Sequence, residues 1–98
     1  MQIIWDSKAN TDLNENISHI AKKSPQNALM VLDTLLELPN SLKKFPFSYP
    51  IEPFYNKDNI RFITKWSFKM VYYITGNTIY IMRVFNTNMR PDRILEAE

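Results

Sequence analysis

The sequence predicts an α+β domain in which an N-terminal helical hairpin packs against a small, mostly antiparallel sheet. Two observations carry this prediction. Apolar residues recur at helical spacing between Ala9 and Leu36, and β-forming residues flank Gly76-Asn77, a pair typical of a tight hairpin turn. A short apolar run, Ile3-Ile4-Trp5, precedes the helices. The predicted order is therefore β-α-α-β-β-β, within a single domain spanning residues 1–98.

The first part of the chain predicts a strand and two helices. Asp6 or Ser7 offers a cap after the strand, and the buried stripe of the first helix is Leu13, Ile17, Ile20 and Ala21. Ser24-Pro25 restarts the chain, because serine caps helices well and proline suits the first turn. The second buried stripe comprises Ala28, Val31, Leu32, Leu35 and Leu36. Pro39 removes a backbone donor, so we expect this helix to end or kink there.

The second part of the chain predicts a proline-containing loop followed by three strands. Residues 46–59 mix three prolines with aromatic residues, which favours an ordered surface loop. The strands are expected at Ile60–Lys65, Ser67–Thr75 and Thr78–Asn86. A two-residue turn then pairs residues whose numbers sum to a constant: Thr75 with Thr78, Tyr73 with Tyr80, Tyr72 with Ile81, Val71 with Met82, Met70 with Arg83, Lys69 with Val84 and Phe68 with Phe85.

Composition excludes several classes of protein. The chain has 98 residues, of which 45% are hydrophobic and 22% charged, as in one ordinary globular domain. It has no cysteine, which excludes disulfides and thiolate nucleophiles. No apolar run approaches the roughly 20 residues that span a bilayer, and the N-terminus lacks a signal layout. We therefore expect a cytoplasmic protein without a membrane partner, and the absence of phosphate-binding loops or metal-ligand spacing predicts no cofactor and no metal.

Positive charge concentrates in the C-terminal half. Between Asn59 and Pro91 there is no acidic residue, whereas this stretch carries Arg61, Lys65, Lys69, Arg83 and Arg90. Such a distribution produces a field that attracts phosphates, although a solvated strand face is the alternative explanation.

A set of residues, spread in order along the chain, forms a loose pattern. It comprises Trp5, Ala9, Asp12 and Leu13, then Ser24-Pro25 and Ala28, then Leu42, Phe45 and Pro46, then Ile60-Arg61. The closing section is the most specific, and it comprises Phe68-Lys69-Met70-Val71-Tyr72-Tyr73-Ile74, Ile79-Tyr80-Ile81-Met82-Arg83-Val84, Asn86 and Arg90. With these residues the sequence resembles the RelE/ParE toxin superfamily, also described as plasmid stabilisation proteins, over nearly the whole chain.

The resemblance implies a bacterial type II toxin that inhibits growth and is neutralised by a co-expressed antitoxin. The antitoxin's partly disordered segment would fold onto the helices and sheet, giving a dimer or a heterotetramer. RelE-like members cleave mRNA on the ribosome with basic residues and a general acid or base, whereas ParE-like members act on DNA gyrase.

The candidate catalytic residues are basic residues on the sheet: Lys69, Arg83 and Arg61. Lys69 occupies the basic position of the family's strand pattern, and it is either a phosphate ligand or an exposed strand lysine. Arg83 lies among apolar strand residues, so it needs an open edge of the sheet or an anion. The anion would be Glu52, Asp58, the chain terminus, a phosphate or a carboxylate of the antitoxin. The candidate target-binding residues are Lys65, Asn86, Arg90 and Arg93.

A proton-transfer residue is missing where nucleases of this superfamily carry one. Asn86 stands where many relatives have histidine, and asparagine cannot shuttle a proton near neutral pH. The one histidine, His19, is predicted to be a surface residue of the first helix. These features favour a gyrase-binding toxin. A ribosome-dependent endoribonuclease that works by electrostatic stabilisation, and an inactive homologue that only binds its antitoxin, are the alternatives, so whether the chain is an enzyme stays open.

Overall fold

The helices and strands follow one another in the predicted order in a computed structural model, which describes residues 1–87. The elements are β1 (Gln2–Trp5), α1 (Ser7–Ala21), α2 (Pro25–Glu37), β2 (Ile60–Lys65), β3 (Phe68–Thr75) and β4 (Thr78–Asn86), with short 3-10 helices at Leu38–Leu42 and Pro46–Ser48. The α+β prediction is therefore confirmed.

The helices begin and end close to where the sequence predicts. Ser24 caps α2, since its side chain accepts a hydrogen bond from the Asn27 amide at 3.2 Å, and Pro25 occupies the first turn. The α-helix gives way to a 3-10 helix at Leu38, next to Pro39. The assignment of one residue, Leu36, to the buried stripe of α2 is wrong. Leu36 is 46% exposed, because it lies to one side of the face that buries Ala28, Val31 and Leu35.

The sheet has four strands in the order β1-β4-β3-β2. β1 pairs with β4 in parallel, and the other two pairings are antiparallel, so the mostly antiparallel prediction is confirmed. β1 covers β4 only as far as Ile81, which pairs with Trp5. Beyond Ile81, the β1 side of β4 has no neighbouring strand among the described residues, and helix α1 lies against it.

Each face of the sheet contributes to a separate apolar cluster. The main core joins both helices to one face, and includes Leu13, Val31, Leu35, Met70, Tyr72, Ile81 and Val84. The opposite face carries a smaller cluster of Ile60, Val71 and Phe85, against which Tyr55, Phe62, Tyr73 and Met82 pack. We call this opposite face the outer face. The outer face of the hairpin is therefore apolar as well.

The β3–β4 hairpin follows the predicted register at first and then departs from it. Gly76 adopts a positive φ of 55° in the two-residue turn, and Thr75–Thr78, Tyr73–Tyr80 and Tyr72–Ile81 pair as predicted. Beyond Tyr72 the predicted pairs are wrong, because a β-bulge shifts β4 by one residue. The observed pairs are Val71–Arg83, Met70–Val84, Lys69–Phe85 and Phe68–Asn86.

The bulge decides which β4 side chain enters the core. In the unbulged register Arg83 would lie opposite Met70, on the face that meets the helices. With the extra residue, Val84 takes that position and is 1% exposed, while Arg83 moves to the register position of the outer face. Burying an unpaired guanidinium in an apolar core is unfavourable by several kcal/mol, so the shifted register is the more stable one.

Tyr72 connects the sheet to the chain that follows the helices. Its side chain is fully buried, and its hydroxyl donates a 2.6 Å hydrogen bond to the carbonyl oxygen of Pro46. Burial raises the pKa of Tyr72 well above its ordinary value, the nearby Tyr49 raises it further, and Arg61 acts in the opposite direction. The neutral hydroxyl is therefore the form that the folded protein favours.

We predict that Tyr72 makes the protein less stable at alkaline pH. Because its pKa is raised in the folded state, its contribution is complete below the unfolded value of about 10 and is lost as the pH rises beyond that, by up to about 1.4 kcal/mol per pH unit. Tyr72→Phe should be less stable by about 1 kcal/mol at pH 8. Urea unfolding at several pH values should show this gap shrinking above pH 10. A gap that is constant with pH would contradict the assignment.

Candidate functional site

The candidate basic residues lie on different sides of the sheet. Lys69 pairs with Phe85 and Arg83 pairs with Val71, so both occupy register positions on the outer face. Arg61 pairs with Tyr72 instead, which places it on the face that meets the helices. The structure therefore brings Lys69 and Arg83 to one face and separates Arg61 from them.

Arg83 is held by a carboxylate from helix α1. Its Nε donates to Asp12 Oδ2 at 2.8 Å and its Nη2 donates to Asp12 Oδ1 at 2.6 Å, in the two-pronged geometry that suits guanidinium and carboxylate. The two side chains are only 14% and 12% exposed. Glu52 and Asp58, two of the partners expected for Arg83 from the sequence, bind Lys69 and Arg61 instead.

The same carboxylate also caps the open edge of β4. Asp12 Oδ2 accepts a 2.9 Å hydrogen bond from the Val84 amide, a backbone donor on the side of β4 that β1 does not reach. One aspartate therefore satisfies a strand edge and neutralises the arginine next to it. The hydrogen bond to Asp12 is the largest cause that raises the pKa of Arg83. The guanidinium also lies 5.2 Å from the centre of the Phe85 ring.

Lys69 is held by a second internal carboxylate. Its Nζ lies 2.6 Å from Glu52 Oε1, and Glu52 is 4% exposed. The other carboxylate oxygen accepts from the Tyr55 amide at 3.0 Å, and the Lys69 ammonium lies 4.5 Å from the centre of the Phe62 ring. Lys69 is thus a half-buried, paired lysine that ties the 50–58 loop to the outer face, rather than an exposed strand lysine.

Arg61 has more partners than the other two basic residues. Its Nη1 donates to the carbonyl oxygens of Phe47 and Tyr49 at 3.1 and 2.9 Å, and its Nε donates to that of Asp58 at 2.8 Å. Its Nη2 forms a 2.8 Å ion pair with Asp58, whose side chain is 84% exposed. This pair is solvent-screened, so the backbone acceptors account for most of the positioning of Arg61. Arg61 therefore holds the 47–58 chain against β2.

The candidate target-binding residues are only partly described. Lys65 is exposed at the end of β2, and its ammonium lies 5.1 Å from the centre of the Trp66 ring. Asn86 is half-buried at the end of β4, opposite Phe68. Arg90 and Arg93 lie outside the described residues.

Within residues 1–87, no histidine lies beside these basic residues. The groups next to them are the carboxylates of Asp12 and Glu52, which bind Arg83 and Lys69, and the side chain of Tyr55. The hydrogen bond to Asp12 raises the pKa of Arg83 most, and Tyr55 raises it further electrostatically. His19 is exposed on α1, as predicted, while Lys69 and Arg83 lie on the outer face and at the edge of β4. The hydroxyl of Tyr72 is bound to Pro46, and burial raises its pKa. In the same range no cluster of His, Cys, Asp and Glu has the arrangement that holds a metal ion. The positive charges of Arg61, Lys69 and Arg83 are each neutralised by a carboxylate of this chain.

Sequence reasoning found the basic residues but missed the two carboxylates that hold them. A signal for Asp12 existed, because it is an acid next to the core residue Leu13 on α1, between the buried positions 9 and 13. Glu52 is flanked by Ile51 and Pro53 in an irregular loop, and no periodic pattern marks it. The same described residues contain no helix long and apolar enough to cross a membrane.

Comparison with known proteins supports the resemblance. Residues 3–91 match the family described as "ParE toxin of type II toxin-antitoxin system, parDE". A solved structure titled "Chromosomal ParDE TA system from P. aeruginosa" is similar in fold, with a TM-score of 0.73 and 23% sequence identity over 90% of this chain and 97% of that chain. Among curated proteins, no sequence matches.

We predict that Lys69 and Glu52 stabilise the fold as a pair. Lys69→Met leaves a buried carboxylate without its cation, which should lower the free energy of unfolding by about 3 kcal/mol. The double variant Lys69→Met/Glu52→Gln removes the uncompensated charge and should recover at least about 1 kcal/mol of that loss. Urea unfolding of the wild type, the single and the double variant measures both. Equal stability of the single and double variants would contradict the prediction that an uncompensated Glu52 charge causes the loss.

Proposed function

The chain belongs to the ParE toxin family of type II toxin–antitoxin systems, and we propose that it arrests bacterial growth by binding DNA gyrase rather than by cutting RNA. A ParE-family toxin has an antitoxin partner, as in the ParDE system whose fold it shares. We place the protein in the cytoplasm as a single domain, in a dimer or heterotetramer with its antitoxin.

The observation that carries the proposal is the internal neutralisation of the basic residues. A nuclease that works by electrostatic stabilisation needs cations directed at the position where charge develops on the phosphate. Arg83, Lys69 and Arg61 are each already bound to a carboxylate of this chain, at 2.6, 2.6 and 2.8 Å. A phosphate would have to displace Asp12 and Glu52 from half-buried or buried positions. This arrangement supports a protein-binding toxin.

The lack of a histidine beside the basic residues, within residues 1–87, supports the same proposal. Asn86 stands where many relatives have histidine, and the hydroxyl of Tyr72 is bound to Pro46. General acid–base catalysis contributes about 10²–10⁴-fold to such reactions. A ribonuclease built on these residues would lack a histidine to supply that contribution.

Helix α2 offers the antitoxin an apolar surface. Leu29 is 63% exposed and Met30 52%, and both lie, with Leu36, on the side of α2 away from the core. Leu29 and Leu36 are separated by two helical turns and form one stripe. An amphipathic segment of the antitoxin that folds on binding would bury this stripe, and we propose it as part of the antitoxin interface.

We predict that induced expression of the wild type stops growth, induces the DNA-damage response and leaves ribosome-bound mRNA intact. Purified wild-type protein should inhibit supercoiling by gyrase in the absence of RNA. Lys69→Ala and Arg83→Ala should lower the thermal stability, and any loss of toxicity should follow the loss of folded protein.

Two outcomes would contradict this proposal. Cleaved mRNA that disappears in Lys69→Ala and Arg83→Ala, at unchanged folded protein, would establish the endoribonuclease. Unimpaired growth at high levels of folded wild type would establish an inactive homologue that only binds its antitoxin.

We predict that the α2 stripe is needed for neutralisation. Leu29→Asp/Leu36→Asp should reduce co-purification with the antitoxin encoded beside this gene by about 100-fold or more in affinity, because each substitution places a charge in an apolar contact. Toxicity without antitoxin should be retained, since both positions are exposed. Asn10→Asp/Asn14→Asp, at two exposed positions of α1, is the charge-matched control. Unchanged co-purification of the double variant would exclude this surface.

A further inference from the structure

The turn between β2 and β3 contains a tryptophan in an unfavourable backbone conformation. Lys65 pairs with Phe68, so Trp66 and Ser67 form a two-residue loop. Trp66 has a φ of 54°, in the left-handed region that glycine, asparagine and aspartate tolerate best. The other non-glycine residue with positive φ among residues 1–87 is Asn56, which suits that region. The turn itself therefore does not favour tryptophan.

Packing within this chain does not account for Trp66 either. Its side chain is 55% exposed, and it belongs to neither apolar cluster. The described contact of its ring is the Lys65 ammonium, 5.1 Å from the ring centre. A residue that neither the turn nor the core favours is best explained by a contact outside the chain. Tryptophan is also one of the residue types enriched among interface hot spots.

The surroundings of Trp66 indicate the chemistry of the partner. Lys65 places one positive charge beside the exposed ring, and Thr64 next to it is exposed and uncharged. The opposite side of the turn is fixed to the end of β4, because the Thr87 amide donates to the Ser67 carbonyl oxygen at 2.6 Å. The turn thus exposes one large apolar side chain and one cation, and a backbone hydrogen bond ties it to the end of β4.

We propose that Lys65 and Trp66, which we call the turn anchor, form the contact through which this toxin enters an apolar, carboxylate-flanked pocket on its target protein. The proposal rests on the protein-binding function proposed above and assigns it to particular residues. Trp66 fills the pocket, and Lys65 pairs with a carboxylate at its rim. Strain in the free turn is tolerated because the β2–β3 ladder and the Thr87 hydrogen bond hold it.

A single-stranded nucleic acid fits the turn anchor less well. Binding a phosphate backbone requires several cations, each of which neutralises a phosphate. Lys65 is the cation of this turn, whereas the neighbouring Arg61 and Lys69 on β2 and β3 are bound to Asp58 and Glu52. One apolar ring with one charge matches a protein pocket with a polar rim.

The test uses Trp66→Gly, which removes the indole and relieves the backbone strain. The melting temperature of the full chain should be equal to or above that of the wild type, because glycine tolerates positive φ. Growth arrest should be lost, and the affinity for purified gyrase should fall by about 30-fold or more, as for a hot-spot residue. Lys65→Gln should weaken binding about 3-fold, mainly through slower association.

Two controls keep the test specific. Phe54→Ala removes an aromatic side chain that is 50% exposed in the 50–58 loop and should leave growth arrest unchanged. Co-purification of Trp66→Gly with the antitoxin should also be unchanged, because the proposed antitoxin surface lies on α2. Loss of antitoxin binding in Trp66→Gly, or growth arrest equal to that of the wild type, would overturn the proposal.

The outcomes separate this inference from the proposed function. If the wild type arrests growth without inhibiting gyrase and Trp66→Gly does not arrest growth, gyrase is not the target. The turn anchor then binds another target protein. If the wild type binds a DNA or RNA oligonucleotide without gyrase, with an affinity that falls steeply with salt and is lost in Trp66→Gly, the partner is nucleic acid and the protein pocket is excluded.

Discussion

The carboxylate of Asp12 connects the helical layer to the sheet at the place where the sheet is incomplete. β1 ends opposite Ile81, so the next part of β4 would expose backbone donors at an open edge. Asp12 accepts a hydrogen bond from the Val84 amide and binds Arg83 with both carboxylate oxygens. The backbone of a neighbouring strand would pair with the amide but would not neutralise the arginine. This one side chain therefore joins α1 to the edge of β4, next to the bulge, and neutralises Arg83.

Internal pairing determines what the basic sheet can do. The C-terminal half is rich in cations and suggests a phosphate-binding surface when only the sequence is considered. In the folded chain, Asp12 and Glu52 occupy the positions that a phosphate would take beside Arg83 and Lys69. Both carboxylates are themselves hydrogen-bonded to backbone amides, so releasing the cations would disrupt the strand edge and the 50–58 loop. These contacts favour recognition of a protein over catalysis on RNA.

Elements with strong periodicity could be predicted from the sequence, whereas the contacts between distant residues could not. Ser24-Pro25 and Gly76-Asn77 marked the second helix and the hairpin correctly, because capping and turn chemistry are local. The predicted register is wrong beyond Tyr72 because the bulge brings Val84 rather than Arg83 to the core face. The carboxylate that binds the bulged part of β4 belongs to Asp12, which lies 72 residues from Val84 in the sequence. The partners of Arg83 and Lys69 were not predicted because Asp12 and Glu52 are also distant from them in the sequence. Leu36 was wrongly assigned to the core. Its position beside a buried stripe does not show whether an apolar side chain packs inside the chain, contacts solvent or contacts a partner.

The central claim is that Arg83 is a structural cation held by Asp12, and a double-mutant cycle tests it most directly. Urea unfolding of the wild type, Asp12→Ala, Arg83→Ala and the double variant gives the coupling free energy between the two side chains. The account predicts a coupling of about 1–3 kcal/mol, with the double variant little less stable than either single variant. A coupling near zero would show that Arg83 is not held by Asp12 and is available to bind a phosphate.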